Sequence, residues 1–154
     1  MNRGILTAVA SIGIAQLLKV PIKKLETRQW DWSAVTQPGG MPSSHSAGVT
    51  SLATYVALER GVKTIDFAIS AIFGLIVMYD AMGIRRHAGE IAIEVNELDV
   101  QMEKLAGKTP GVYHEKRKEK LKEVLGHQPA EVFWGSVLGV CLGAFSYVIK
   151  QRRG

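Results

Sequence analysis

The distribution of apolar residues constrains the fold of this chain more than any other feature. Four stretches carry almost no charge, and they cover residues 4–18, 46–58, 65–84 and 132–149. A helix needs about 20 apolar residues to cross the hydrocarbon core of a bilayer. The first, third and fourth stretches therefore predict transmembrane helices, alone or with their flanking residues. The second stretch, extended to Arg60, predicts a helix of only about 22 Å that begins below the membrane surface, surrounded by the others.

The last apolar stretch bears on the alternative fold, a soluble helical bundle with an unusually apolar core. It is apolar on all faces, and Gly135, Gly139 and Gly143 follow one another at intervals of four. Small residues at this spacing let two membrane helices approach closely, whereas each glycine in a soluble helix costs about 1 kcal/mol relative to alanine. We therefore predict an all-α polytopic membrane bundle with about four transmembrane helices, formed by one domain over residues 1–154.

Two long polar connections, residues 20–44 and 85–128, separate the apolar stretches. In the second, apolar residues recur at intervals of three and four over 88–105, which predicts an amphipathic helix. A short charged helix is predicted from 115 to 124. We expect this region, about 86–126, to form a helical cap inserted into the bundle.

The distribution of positive charge predicts the orientation of the bundle. With four spans, both termini and the turn at Gly61 lie on one side of the membrane, and both long connections lie on the other. Six of the 19 Lys and Arg residues fall on the side of the termini and the remaining 13 on the other side. The positive-inside rule then places the long connections in the cytoplasm. The first stretch is interpreted as a retained helix rather than a signal peptide, because no small-residue cleavage site with a soluble domain follows it.

Composition excludes several other classes of function. The net charge of +5 is compatible with nucleic acid, an anionic membrane surface or a phosphorylated substrate. Aromatic residues make up only 7% of the chain, and aliphatic residues separate the basic ones, so platforms for base stacking are not evident. The one cysteine, Cys141, lies in an apolar stretch, which leaves no disulfide framework and no cysteine-based zinc site.

Reactive side chains concentrate at the cytoplasmic ends of the predicted helices. They are Lys19, Arg28, His45, Arg85, Arg86, His127 and Glu131. Arginine and lysine match phosphate oxygens. Residues 39–45 (GGMPSSH) add flexible backbone, the hydroxyls of Ser43 and Ser44, and the unpaired N–H groups of a helix start. Two histidines allow one to attack phosphorus and the other to protonate the leaving oxygen. Glu131, one helical turn after His127, is placed to orient that imidazole.

The chain resembles the type 2 phosphatidic acid phosphatases, relatives of the vanadium haloperoxidases. It is most similar to their divergent membrane branch, the acid phosphatase/vanadium-dependent haloperoxidase-related proteins, over residues 39–47, 77–96 and 125–132. The resemblance covers nearly the full length. It implies a bacterial plasma-membrane phosphatase without a cofactor, acting on a phosphate monoester or diphosphate of a phospholipid or polyprenyl lipid. The expected partners are this lipid phosphate and membrane lipids, with no nucleic acid, and a homo-oligomer is a possible assembly.

The resemblance also implies roles for individual residues. His127 would be the nucleophile that forms a phosphohistidine and His45 the acid, with Glu131 orienting His127. The implied phosphate ligands are Lys19, Arg28, Ser43, Ser44, Arg85 and Arg86.

Three departures from the family motifs accompany this assignment. Eight residues rather than six separate Lys19 from Arg28, and Gln29 stands where the motif has proline. Ser44 replaces the glycine of Pro-Ser-Gly-His. The third motif is split, since its arginine is Arg85 or Arg86 and its histidine comes about forty residues later.

Alternatives remain at two residues and for the function itself. His87 adjoins both arginines and competes with His127 as nucleophile. Asp80, an acid within an apolar stretch, forms either an ion pair with a nearby cation or a metal site with Glu90 or Glu94. The metal site would make the protein a metal-dependent membrane phosphotransferase. A non-enzymatic scaffold or transport protein that retains the fold is the third hypothesis.

Overall fold

The structure is a computed structural model that describes residues 2–37, 39–107, 120–123 and 126–153. Within these residues the chain is helical and contains no strand, so the predicted all-α fold is confirmed. Five α-helices and one short 3₁₀ turn, Trp32–Val35, make up the structure. The helices are α1 (Arg3–Thr27), α2 (Ser44–Arg60), α3 (Ile65–Met82), α4 (Ile84–Ala106) and α5 (Pro129–Arg153).

Three segments of the described chain are long and apolar enough to cross a membrane. They lie in Arg3–Thr27, Ile65–Ala106 and Pro129–Arg152. The second apolar stretch forms α2, a helix of 17 residues that is about 26 Å long. It packs against α1, α3 and α5, so it is surrounded by the longer helices as its short apolar stretch predicted.

The interior of the bundle is small and polar, whereas its exterior is apolar. The largest side chains that are fully buried are serines: Ser11, Ser43, Ser46 and Ser51. Large apolar side chains instead point outward and are more than half exposed, among them Ile69, Phe73, Ile76 and Phe145. A soluble bundle would bury such residues and could not keep them in water. This inverted arrangement is that of a membrane protein, whose outer surface contacts lipid.

Contacts at the two ends of the bundle show that the helices alternate in direction. At the end that holds the termini, the Thr7 and Ser146 hydroxyls lie 2.6 Å apart, and Lys150 pairs with Glu59. At the opposite end, the backbone N–H of Ser43 donates to the carbonyl of Glu131 at 3.0 Å. The side chains predicted to carry the chemistry start or end helices at this second end.

The close approach of α5 to α2 depends on its three glycines. A methyl group at Gly135 would overlap the backbone of Ser43, and one at Gly139 would overlap Ala47 and Thr50. One at Gly143 would lie 2.5 Å from the Ser51 carbonyl oxygen. The glycine spacing therefore does what the sequence predicted, since it lets the backbones of two helices touch.

The described part of the predicted cap consists of α4 and residues 120–123. Helix α4 confirms the predicted amphipathic helix and extends it at its start. The predicted charged helix over 115–124 is wrong for 120–123, which are not helical, and its other residues lie outside the described ones. The reason is a contact with α4. The side chain of Asn96 bonds both the N–H and the carbonyl of Leu121, so these two groups do not form helical backbone hydrogen bonds.

Candidate active site

His127 and His45 face each other at the end of the bundle. Their ring centroids lie 5.7 Å apart with the rings inclined by 68°. His127 precedes α5 and is 4% exposed, whereas His45, the second residue of α2, is exposed. The pair therefore combines one enclosed imidazole with one accessible imidazole, and the two rings are in edge contact.

Glu131 fixes the orientation of the buried imidazole. Its Oε2 lies 2.8 Å from Nδ1 of His127, one helical turn away, as the sequence predicted. An ionised carboxylate only accepts hydrogen bonds, so Nδ1 carries the proton in this pair. The lone pair of Nε2 is then free, which is the tautomer that a nucleophilic imidazole needs.

The start of α2 is fixed by Ser43, whose hydroxyl oxygen and backbone N–H both form hydrogen bonds. Its hydroxyl accepts from the N–H of Ser46 at 3.4 Å and lies 3.0 Å from the Ser46 hydroxyl, while its own N–H donates to Glu131. Ser43 has no exposed surface. It is therefore a helix cap, and the predicted phosphate contact through its hydroxyl is not supported. The next two N–H groups, of Ser44 and His45, have no acceptor within the described residues and remain available to an anion.

Three charged side chains lie within electrostatic range of His45. They are Lys19, Arg85 and Asp80. Lys19 is 5% exposed and also interacts with Glu131. The Arg85 Nε donates to Asp80 Oδ2 at 2.7 Å, so Asp80 forms the ion pair that was one of its two interpretations.

The two halves of the split third motif meet in space. Gly126 has a φ of 80° and packs so tightly on α4 that a Cβ would lie 2.6 Å from the backbone nitrogen of Arg86. The N–H of His127 donates to the carbonyl of Ala81 at 2.8 Å, next to the helix break at Gly83. The chain thus leaves the bundle at Arg86 and returns beside it. The insertion separates arginine and histidine in sequence but not in the structure.

Two cavities lie on either side of Gly39 and Gly40, which line both. One, of about 290 Å³, is also lined by His127, Glu131 and Arg86. The other, of about 300 Å³, is lined by Lys19 and Lys23. Gly39 and Gly40 have φ values of 78° and 81°, a conformation that L residues with side chains rarely adopt. The glycines therefore allow the loop to turn between the cavities.

Lys23 was missed by sequence reasoning, although it helps to hold this loop. Its Nζ donates to Asp31 Oδ2 at 2.6 Å and to Gln37 Oε1 at 3.2 Å. The hydrogen bonds from Lys23 and Ser33 lower the pKa of Asp31 to about 2, so this carboxylate is ionised at neutral pH. Lys19 lies one turn earlier on α1 and reaches the Gln37 carbonyl at 3.4 Å. The i, i+4 spacing of Lys19 and Lys23 could have predicted that both lysines lie on the same face of α1.

The structure leaves two candidate residues outside the histidine pair. Arg28 caps the end of α1 in a left-handed conformation with a φ of 59°, is exposed, and lies about 13 Å beyond Lys19 along the helix. Its predicted contact with the phosphate is therefore not supported. The His87 side chain is 75% exposed and pairs with Glu90 on α4 at 3.0 Å rather than with His45. His127, not His87, occupies the position opposite His45.

The hypothesis of a metal site at Asp80 requires a cluster of ligands, and the described part of the chain has none. No three histidine, cysteine, aspartate or glutamate side chains converge there. Asp80 is bonded to Arg85, and Glu90 is bonded to Arg86 and His87. Asp80 and Glu90, two of the three carboxylates proposed as ligands, thus belong to separate ion pairs.

The chain also matches known proteins. A family model described as "Divergent PAP2 family" matches residues 1–142. The chain is 49% identical over 144 residues to the uncharacterized membrane protein YuiD of Bacillus subtilis (strain 168), a match that covers 92% of this chain and 91% of that protein. No solved structure matches the chain.

Proposed function

Since the chain belongs to the divergent PAP2 family, we propose that it is a membrane phosphatase that hydrolyses a lipid phosphate ester through a phosphohistidine on His127. The observation that carries this proposal is the chain of contacts from Glu131 to His127 and on to His45. It supplies an oriented nucleophile and a separate acid next to each other. Both are needed for an in-line displacement at phosphorus.

The proposed hydrolysis has two steps. In the first, the lone pair of His127 Nε2 attacks phosphorus, the bond from phosphorus to the ester oxygen breaks, and His45 donates a proton to the departing alcohol. In the second, water attacks the phosphorus, gives its proton to His45, and the P–N bond breaks to release inorganic phosphate. Glu131 stabilises the positive charge that develops on the His127 ring in the first step.

The phosphate would be held by groups that converge beside the two histidines. Lys19, Arg85 and Arg86 supply positive charge, and the N–H groups of Ser44 and His45 supply donors at the start of α2. The predicted ligands Arg28 and Ser43 are not part of this set, because Arg28 lies at the far end of α1 and Ser43 is fully buried. Asp80 would keep the Arg85 guanidinium in place.

A lipid suits this site better than a soluble ester because of where the site lies. The histidines are at the end of the bundle, where the apolar outer surface formed by α1, α3 and α5 stops. A phospholipid or polyprenyl phosphate would bring its phosphate to this level while its chains stay in the bilayer. The excess of Lys and Arg at this end favours the cytoplasmic face of a bacterial plasma membrane.

Phosphate release from a panel of lipid phosphates tests the proposal. Purified protein in detergent should release phosphate from at least one phospholipid or polyprenyl substrate, and EDTA should leave the rate unchanged. Loss of activity in EDTA would favour the metal-dependent phosphotransferase. The absence of release from every substrate would favour the non-enzymatic scaffold or transport protein.

A further inference from the structure

Asn96 is a buried amide in a helix whose surface is mostly exposed. It is 7% exposed in the middle of α4 and makes three hydrogen bonds. Nδ2 donates to the Leu121 carbonyl at 3.0 Å and to Glu123 Oε1 at 2.9 Å, and Oδ1 accepts from the Leu121 N–H at 3.0 Å. A flipped amide would put its NH₂ group against the Leu121 N–H, so only one orientation is possible.

The same returning segment is attached a second time, five residues after Leu121. Gly126 contacts the backbone of Arg85 and Arg86, and His127 donates its N–H to Ala81. Leu121 is thus bonded to α4, while Gly126 and His127 contact α4 and α3. Helix α4 also carries both arginines of the site, Arg85 and Arg86.

We infer that Asn96 is a positioning residue for His127, an assignment that rests on the phosphoryl transfer proposed above. The bond to Ala81 and the contact at Gly126 position the backbone at His127 itself, but not the residues that precede it. Asn96 fixes the approach to it, since it bonds both backbone groups of Leu121. A buried amide left without these partners would be costly, so the bonds hold the segment as one unit with α4.

Asn96→Ala tests this inference, with Gln101→Ala as a matched control on an exposed amide of the same helix. Two quantities are measured: turnover of p-nitrophenyl phosphate, and hydrogen exchange at the backbone amide of His127. For Asn96→Ala we expect kcat to fall by about tenfold or more with KM within about twofold, as for other supporting residues. Exchange at His127 should quicken. Gln101→Ala should match the wild type in both.

A purely structural role would give a different result. Asn96→Ala would then yield less folded protein, yet each folded molecule would keep the wild-type kcat and the wild-type exchange rate at His127. Either unchanged quantity in folded protein overturns the inference. If the wild type itself turns over no phosphate ester, the proposed function fails, but the exchange comparison still decides the role of Asn96.

A compensating pair covers the case in which Asn96→Ala does not fold. In Asn96→Asp, a carboxylate replaces the donor that faces Glu123 and the Leu121 carbonyl, so the segment should be repelled from α4. Adding Glu123→Gln returns an N–H donor to this contact. The double variant should recover part of the lost kcat and slow the exchange at His127 relative to Asn96→Asp. Failure to recover either would contradict the positioning role.

Discussion

At the scale of single residues, the imidazole of His127 carries most of the proposed chemistry. It is buried, its Nδ1 is bonded to Glu131, and its ring meets that of His45. We predict that His127→Ala abolishes phosphate release. His87→Ala is the matched control, since that histidine is exposed and bonded only within α4, and it should keep wild-type activity. Loss of activity in His87→Ala with activity retained in His127→Ala would move the nucleophile to His87.

Glu131→Gln separates orientation of the imidazole from nucleophilic attack. The amide can still bond Nδ1 of His127 but no longer offsets the positive charge that develops on the ring. We expect kcat to fall by about 10²-fold, the range found when a supporting carboxylate or dipole is removed, while thermal stability stays near the wild-type value. An unchanged kcat would remove Glu131 from the mechanism.

The arginines are tested by an anion that mimics phosphate. Arg85→Ala and Arg86→Ala should each weaken inhibition by vanadate by about tenfold, the equivalent of one charge-assisted hydrogen bond. Lysine at either position should restore only part, because the bidentate fork is lost. Arg60→Ala, at the opposite end of the bundle and paired with Asp66, is the control. Wild-type vanadate inhibition in both site variants would exclude the arginines as ligands.

At the scale of elements, the contact between α2 and α5 places the two histidines. Gly139→Ala would force a methyl group onto the backbone of Ala47, at 2.5 Å from its carbonyl oxygen. Overpacking of this kind typically costs about 1–3 kcal/mol. We therefore expect a lower melting temperature in detergent, with a loss of kcat because the start of α2 moves away from His127.

The matched control for this variant is Gly13→Ala on α1. A Cβ at Gly13 meets no atom within 4 Å, so the substitution should be neutral or should stabilise the helix by up to about 1 kcal/mol. Equal melting temperatures for Gly139→Ala and Gly13→Ala would show that the glycines of α5 do not set the helix spacing.

The elements also show where sequence reasoning succeeded and where it stopped. Hydropathy and glycine spacing predicted the bundle and a close contact of its last helix with another helix, though not that this helix is α2. The four-residue interval predicted the bond between His127 and Glu131. Arg28 was misplaced because α1 continues to Thr27 and carries that side chain away from Lys19. The hydrogen bonds of the Asn96 side chain to the Leu121 backbone join residues 25 apart. No local sequence pattern predicts such a contact.

At the scale of the whole molecule, the orientation proposed above puts the site and the described part of the cap on the cytoplasmic side of the membrane. In a Cys141→Ser background, a cysteine at Gly107 should be shielded from an impermeant maleimide in intact cells and labelled after lysis. A cysteine at Lys118, outside the described residues, should behave in the same way. Cysteines at Lys63 or at the C-terminus should react in intact cells. The reverse pattern would place the site outside the cytoplasm and exclude a substrate in the cytoplasmic leaflet.

The central claim is that phosphate is transferred to His127 before it reaches water. His45→Ala is the variant that exposes this step. An ester with a good leaving group needs no acid to phosphorylate His127, whereas hydrolysis of the phosphohistidine still needs His45 to take a proton from water. The intermediate should therefore accumulate.

The decisive measurement is mass spectrometry of His45→Ala, quenched at high pH after brief reaction with p-nitrophenyl phosphate. We expect an acid-labile phosphoryl group on the peptide that contains His127. This group should be absent when His127 is also replaced by alanine. Phosphate release by the wild type with no phosphohistidine in His45→Ala, or with the phosphoryl group on His87, would contradict the account.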